Sequence, residues 1–343
     1  MSFSVPDSLF WTIVLFLVGL GLICIAGDKF VDAAVAIAKR LKIPQIVVGA
    51  TIVSLGTTLP EILVSTTAAV GSAQSPEISV GNALGSIICN TALIAGVGQL
   101  MRPAKEVKSK SVSWRMIFFV ATVVLLALTV LITPSHDFVN KEGKTEFAVG
   151  TIVRAVGIVL VLGFCLYSFL SIRLKDSDGE AEYDETEKVM PMWAALLMLV
   201  IAAAALFVGA NLLVENGQVL ALDYLHVPER VVAVTMIALG TSLPELVTTV
   251  TSSIKGQGDV GLGNIIGANL FNMLLVIGLP ATITGDIVFT EKALYLDLSL
   301  SLLVMVGLIV PMLIRKKGSR VQGAILVLVY IGYCVYSFAA AGA

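Results

Sequence analysis

The sequence predicts an all-α integral membrane protein: ten transmembrane helices arranged as two inverted five-helix repeats. Three observations predict it. First, 57% of the 343 residues are hydrophobic and only 13% are charged, with a mean hydropathy of +0.96. Soluble domains average about 45–50% apolar and about 25% charged. Second, ten apolar stretches reach the roughly 20 residues that a bilayer-spanning helix needs. Third, two blocks of sequence recur in the same order at nearly the same offset. The composition excludes a soluble enzyme, a disordered chain and a nucleic-acid binder, and the net charge of −2 gives no bias toward polyanions.

The predicted spans are 8–38, 44–70, 77–100, 113–132, 147–172, 191–222, 228–254, 259–283, 293–314 and 320–341. The first lacks a basic flank and is too long for the apolar core of a cleavable signal peptide, so it reads as a spanning helix. Residues 1–172 form the first repeat, 173–190 an acidic linker and 191–343 the second repeat. The linker carries Asp176, Asp178, Glu180, Glu182, Asp184, Glu185 and Glu187, without the glycine and ligand spacing of an EF-hand loop. It reads as a solvated connection. Cys24, Cys89, Cys165 and Cys334 lie far apart in apolar stretches. They read as small buried hydrophobes, with no disulfide or zinc framework.

Lysine and arginine set the orientation. With the N-terminus outside, the inner loops hold sixteen basic residues, among them Lys39, Arg40, Arg102, Arg115, Lys255 and Arg315–Lys317. The outer loops hold Lys141, Lys144, Arg230 and Lys292. Both termini are therefore expected outside, in the plasma membrane.

The repeat is explicit. Residues 48–61 read VGATIVSLGTTLPE and residues 232–245 read VAVTMIALGTSLPE. Residues 81–90 read GNALGSIICN and residues 263–272 read GNIIGANLFN. Five spans per half is an odd number, so the second copy enters from the opposite face. Transporters built this way hold substrate near the midplane, where the copies meet.

The second span carries Glu61 and the seventh carries Glu245 at matched positions. A charge at the bilayer centre costs at least about 2.5–3.5 kcal/mol, so two facing carboxylates call for a bound cation. Ser54, Thr57, Thr58, Glu61 and Ser65 form one helical stripe, and Thr241, Ser242, Glu245, Thr248 and Thr249 repeat it. Asn82, Ser86 and Asn90 on the third span correspond to Asn264, Ala268 and Asn272 on the eighth. Pro60 and Pro244 free the carbonyls of Gly56 and Gly240, where the helices are expected to unwind toward an ion. The donors are all oxygen: carboxylate, hydroxyl, amide and carbonyl. Hard cations such as calcium and sodium prefer that set, and magnesium resists the dehydration it requires. His136 and His226 fall in outer loops. Asp28, Lys29, Asp32, Asn211, Glu215, Asp297 and Arg154 read as snorkelling or helix-end pairing.

The paired segments LGTTLPE…GNALGSIICN and LGTSLPE…GNIIGANLFN resemble the two alpha repeats of the cation/calcium exchanger superfamily, and most closely its prokaryotic sodium/calcium exchangers. The resemblance implies ten helices in two inverted halves. It implies alternating access, with the first and sixth helices sliding against a core of the other eight. It carries the family's central glutamates onto Glu61 and Glu245, its hydroxyl ligands onto Thr57, Thr58, Thr241 and Ser242, and its asparagine positions onto Asn90 and Asn272. Ser86 matches a sodium-site serine, and Ser54 lies on the same stripe. In the second half Ala268 replaces the serine, removing one sodium ligand, and the neutral Asn272 argues against potassium coupling.

The expected function is secondary-active exchange of calcium for sodium, with no cofactor and no enzymatic activity. The expected partners are the two ions and the lipid bilayer, and a monomer is compatible with that. A calcium/proton antiporter is the first alternative, but the GNATEL-like segments of that branch are absent. A passive cation channel is the second, and it needs a longer polar path than these short stripes provide.

Overall fold

The computed structural model describes all residues except 1–8, 71–75, 105, 106, 108, 140–144, 175–188, 225–239 and 341–343. The helices fall where the apolar stretches predicted them: α1 (Leu9–Leu41), α2 (Gln45–Val70), α3 (Ser79–Met101), α4 (Ser109–Ile132), α5 (Arg154–Arg173), α6 (Met192–Val219), α7 (Leu243–Ile254), α8 (Gly258–Thr284), α9 (Lys292–Arg315) and α10 (Arg320–Ala340). Over the described residues, all but α7 are long and apolar enough to cross a membrane. Residues 228–239 of the predicted seventh span, and 175–188 of the acidic linker, lie outside the described residues.

Contacts between the connections sort them onto two faces. On one, Arg40 of the α1–α2 turn donates to the carbonyls of Val189 (2.5 Å) and Met190 (3.0 Å), just before α6. On the same face Val107 N donates to Lys316 O (3.0 Å) and Gly318 N to Ala104 O (2.8 Å), joining the α3–α4 and α9–α10 connections. Arg102 reaches the Ile254 carbonyl (3.4 Å) at the end of α7. The α4–α5 and α8–α9 connections meet at the opposite end. There the described residues form a three-stranded antiparallel sheet: β1 (His136–Val139), β2 (Thr145–Val153) and β3 (Asp286–Thr290). This alternation agrees with a chain that crosses at every span.

The sheet corrects the start of the predicted fifth span within an otherwise helical fold. The predicted fifth span began at 147, but Thr145–Val153 is a strand, and α5 starts at Arg154. The segment is rich in β-branched residues, and two neighbouring strands at one end of the bundle satisfy its backbone. The cysteines need a second correction. Cys89 is buried, but Cys24 and Cys165 are exposed and Cys334 is intermediate. A helix surface facing hydrocarbon has no reason to hide a small apolar side chain.

Glycine sets the closest helix contacts. A Cβ at Gly19 of α1 would lie 2.8 Å from Leu213 N and 2.9 Å from Gly209 O of α6, so the first and sixth spans meet backbone to backbone. At Gly263 of α8, a Cβ would lie 3.0 Å from Ala50 N and 3.1 Å from Gly49 Cα of α2. This second contact closes the core near the basic face.

The other intramembrane polar groups are largely paired. Lys255, just after α7, sits 2.6 Å from Asp28 Oδ1 and 2.5 Å from Asp32 Oδ1 of α1, and Lys29 lies 3.5 Å from Asp28. Asp297 accepts from the Tyr333 hydroxyl (3.1 Å), and Arg154 donates to Ile283 O (3.0 Å). Arg115 departs from its reading as a loop cation. It is fully buried on α4, over the Trp114 ring at 4.6 Å, with Nη1 donating to the Ser111 carbonyl and hydroxyl.

Candidate functional site

Four short segments converge at the centre of the bundle. Two come from the first half: Ser54–Glu61 on α2 and Ser86–Asn90 on α3. Two come from the second: Thr241–Glu245 at the start of α7 and Ala268–Asn272 on α8. Glu61, Glu245, Thr58 and Asn90 are completely buried, and Thr57, Ser242, Asn272 and Ser86 nearly so. Glu61 has Glu245 and Thr241 as neighbours, while Glu245 has Thr57 and Thr58. Each carboxylate is therefore flanked by hydroxyls of the other half. Cys89, directly before Asn90, neighbours Ser242 and Glu245.

The backbone departs from regular α-helix at both site asparagines. Cys89–Ile94 and Asn272–Val276 are both π-helical turns, so each half carries one at its matched asparagine. A third, Gly49–Val53, precedes Ser54 in α2. A π-turn inserts one residue into the helix and re-aims the side chains beyond it, and such turns concentrate at functional sites.

The prolines act differently in the two halves. Pro60 sits inside an uninterrupted helix from Ser54 to Val70. The unwinding expected at Gly56 is absent, and the irregularity lies in the π-turn one helical turn earlier. Pro244 stands in the first turn of α7, directly after a turn at Thr241–Ser242. There the expected break occurs.

The side chains fall into two groups. The first holds helices together. Ser54 donates to Gly49 O (2.7 Å) and Asn264 O (3.0 Å), and Thr57 to Asn264 Oδ1 (3.2 Å). Asn82 donates to Ser65 Oγ (2.9 Å) and Glu61 O (3.2 Å). Asn269 donates to Thr91 Oγ1 (2.6 Å), linking α8 to α3. The sequence stripes did not include Asn269 and Thr91, although each lies within three residues of a site asparagine. The second group is fully enclosed yet has no hydrogen-bond partner among the described residues. It comprises both oxygens of Glu61 and Glu245, the amide groups of Asn90 and Asn272, and the hydroxyls of Thr58 and Ser242. A buried polar group without a partner costs about 1–3 kcal/mol, and an ionised one more. A cluster of orphaned oxygens around two carboxylates has the chemistry of a hard-cation site. His136 opens β1 at one end of the bundle, away from this centre, and His226 lies outside the described residues.

A family model described as sodium/calcium exchanger protein matches residues 11–173 and 194–339. The chain belongs to the sodium/calcium exchanger family. Its match falls into two blocks, one on each side of the acidic linker. The exchanger is 33% identical over 334 residues to the inner membrane protein YrbG of Escherichia coli K12, covering 94% of each chain. It is 28% identical over 361 residues to the sodium/calcium exchanger MaX1 of Methanosarcina acetivorans, covering 95% of this chain and 98% of that one. Among solved structures it is similar to the sodium-calcium exchanger NCX_Mj in crystals soaked with sodium and strontium, at a TM-score of 0.75 and 27% identity, over 96% of this chain and 99% of that one. The exchanger is a multi-pass membrane transporter and not an enzyme.

Proposed function

We propose that this exchanger moves calcium out of the cell in return for sodium, at a single central site alternately open to the two sides. The observation that carries the reading is the pair of enclosed carboxylates, Glu61 and Glu245, which come from the two halves and whose four oxygens lack partners among the described residues. Their formal charge of about −2 matches one calcium ion or more than one sodium ion on overlapping oxygens. Mutual exclusion of the two occupancies couples one flux to the other.

The ligands are Glu61 and Glu245, the hydroxyls of Thr58 and Ser242, the oxygens of Thr57 and Thr241, and the amide oxygens of Asn90 and Asn272. Ser86 and Ser54 serve the flanking sodium positions. The halves are residues 1–172 and 191–343, related by inversion, with 173–190 as a cytoplasmic linker. The face that carries Arg40, Arg102, Lys255 and Lys316 is cytoplasmic, the sheet face is external, and both termini are external. The glycine contact between α2 and α8 lies on the cytoplasmic side of the site. Ion binding neutralises the carboxylates before the apolar surfaces of α1 and α6 slide past the site, because covering the charges uncompensated costs several kcal/mol.

The test is calcium flux in proteoliposomes with and without a sodium gradient. Wild-type flux should depend on the gradient, and Glu61→Gln and Glu245→Gln should each abolish it. Near-normal calcium flux in either variant overturns the site.

A further inference from the structure

We infer that Tyr167 on α5 is a positioning residue for the ion site, holding the π-turn of α2 in place through its hydroxyl and the π-turn of α8 through its ring. The inference rests on the reading of Glu61 and Glu245 as the ion-binding pair.

In a regular α-helix the Ser54 N–H would donate to Ala50 O, four residues back. In the π-turn it is shared between Gly49 O and Thr51 O instead, and the Ser54 hydroxyl bonds Gly49 O as well. Ala50 O thereby loses its α-helical donor, deep inside a membrane protein where a carbonyl gains from a further donor. The Tyr167 hydroxyl donates to that carbonyl at 3.0 Å, across 117 residues of sequence. Tyr167 is completely buried, so the bond is not shared with water. It favours the π-turn over the regular helix. Closing the π-turn into α-helix would rotate the segment beyond it by about 100°, one residue's worth of helical rotation. That segment carries Thr57, Thr58 and Glu61.

The ring contacts the other half. Its centroid lies 5.9 Å from that of Phe271, edge to face at 84°. Phe271 directly precedes Asn272, where the second π-turn begins. One side chain thus touches a site-bearing helix of each half, α2 at Ala50 and α8 at Phe271. On α10 the arrangement has a counterpart: the buried Tyr330 neighbours Cys89, the residue before Asn90.

Tyr167→Phe keeps the ring and removes the hydroxyl. We expect the calcium concentration for half-maximal exchange to rise about ten-fold, the loss of one well-placed hydrogen bond, with the maximal rate within about two-fold. Trp114→Phe is the control. Trp114 packs on the same ring at 5.5 Å but is not the donor to Ala50 O, and its half-saturation should not move. Phe271→Leu trims the other arm and should raise half-saturation about three-fold; it also serves if Tyr167→Phe cannot be purified folded. An unchanged calcium half-saturation in folded Tyr167→Phe overturns the inference, as does an equal rise in Trp114→Phe, or no rise in Phe271→Leu. Glu61→Gln, run in parallel, separates the two readings. Flux lost there but unchanged in Tyr167→Phe removes only the positioning role, whereas flux retained in Glu61→Gln removes the site and the inference with it.

Discussion

At the residue scale, serine, threonine and asparagine do two jobs that look alike in sequence. Ser54, Thr57, Asn82 and Asn264 lie on the same stripes as Thr58, Asn90 and Asn272. The first four tie helices together through short hydrogen bonds. The last three are enclosed without a partner among the described residues. Helical spacing alone cannot separate the two, because both require a polar atom on the buried face. Ala268 is the informative departure. It is fully buried on α8 at the place where α3 carries Ser86. A methyl cannot coordinate sodium, so Ala268→Ser restores an oxygen ligand without adding charge. The sodium concentration for half-maximal exchange should fall about three- to five-fold, on the order of 1 kcal/mol for one added oxygen ligand. Calcium half-saturation should stay nearly constant, because the carboxylates dominate that ion. A shift in calcium alone, or in neither ion, shows that position 268 does not line a sodium position.

At the element scale, glycine decides which helices approach and proline decides where they break. Gly263 and Gly49 let α2 and α8 touch at the backbone, and no side chain fits between them. Gly263→Ala should therefore cost about 1–3 kcal/mol through overpacking. On α10, a Cβ added at Gly332 would meet none of the described atoms within 4 Å, so Gly332→Ala should be neutral or slightly stabilising. Thermal unfolding in detergent compares the two directly. Equal stability of the variants contradicts the packing argument. The prolines show the same dependence on surroundings. Pro60 is accommodated within a continuous helix, whereas Pro244 follows an open turn at Thr241–Ser242. Two nearly identical motifs thus take different backbones in one conformation. An inverted pair of repeats must do so if the site is to be closed on one side at a time.

At the scale of the whole molecule, the basic loops gather on one face and the three-stranded sheet lies on the other. The excess of lysine and arginine on the first face is the basis for proposing that it is cytoplasmic. In a background free of the four native cysteines, Lys316→Cys should react with an impermeant thiol reagent only after cells are opened. His136→Cys, exposed on β1, should react in intact cells. The reverse pattern inverts the proposed topology, and labelling of both from one side rejects the odd number of spans per half.

Most of the spans, the duplication and the central carboxylates are legible along the chain. Each is a local or self-referential signal: about 20 apolar residues for a span, a repeated motif for a half, and an acid stranded in an apolar run for a site. Helix ends at Ile132, Arg173 and Arg315 were legible within a few residues for the same reason. Only the tertiary structure decided the rest. Thr145–Val153 became a strand because β1 and β3 stood ready to pair with it. The π-turns at Gly49, Cys89 and Asn272 were not read from the sequence, and at the first of them Ala50 O takes a bond from Tyr167 on another helix. Arg115 could be buried because an aromatic face and a serine lay beside it. For the strand the deciding partner lies far along the chain, and a pattern read along one segment carries no record of it.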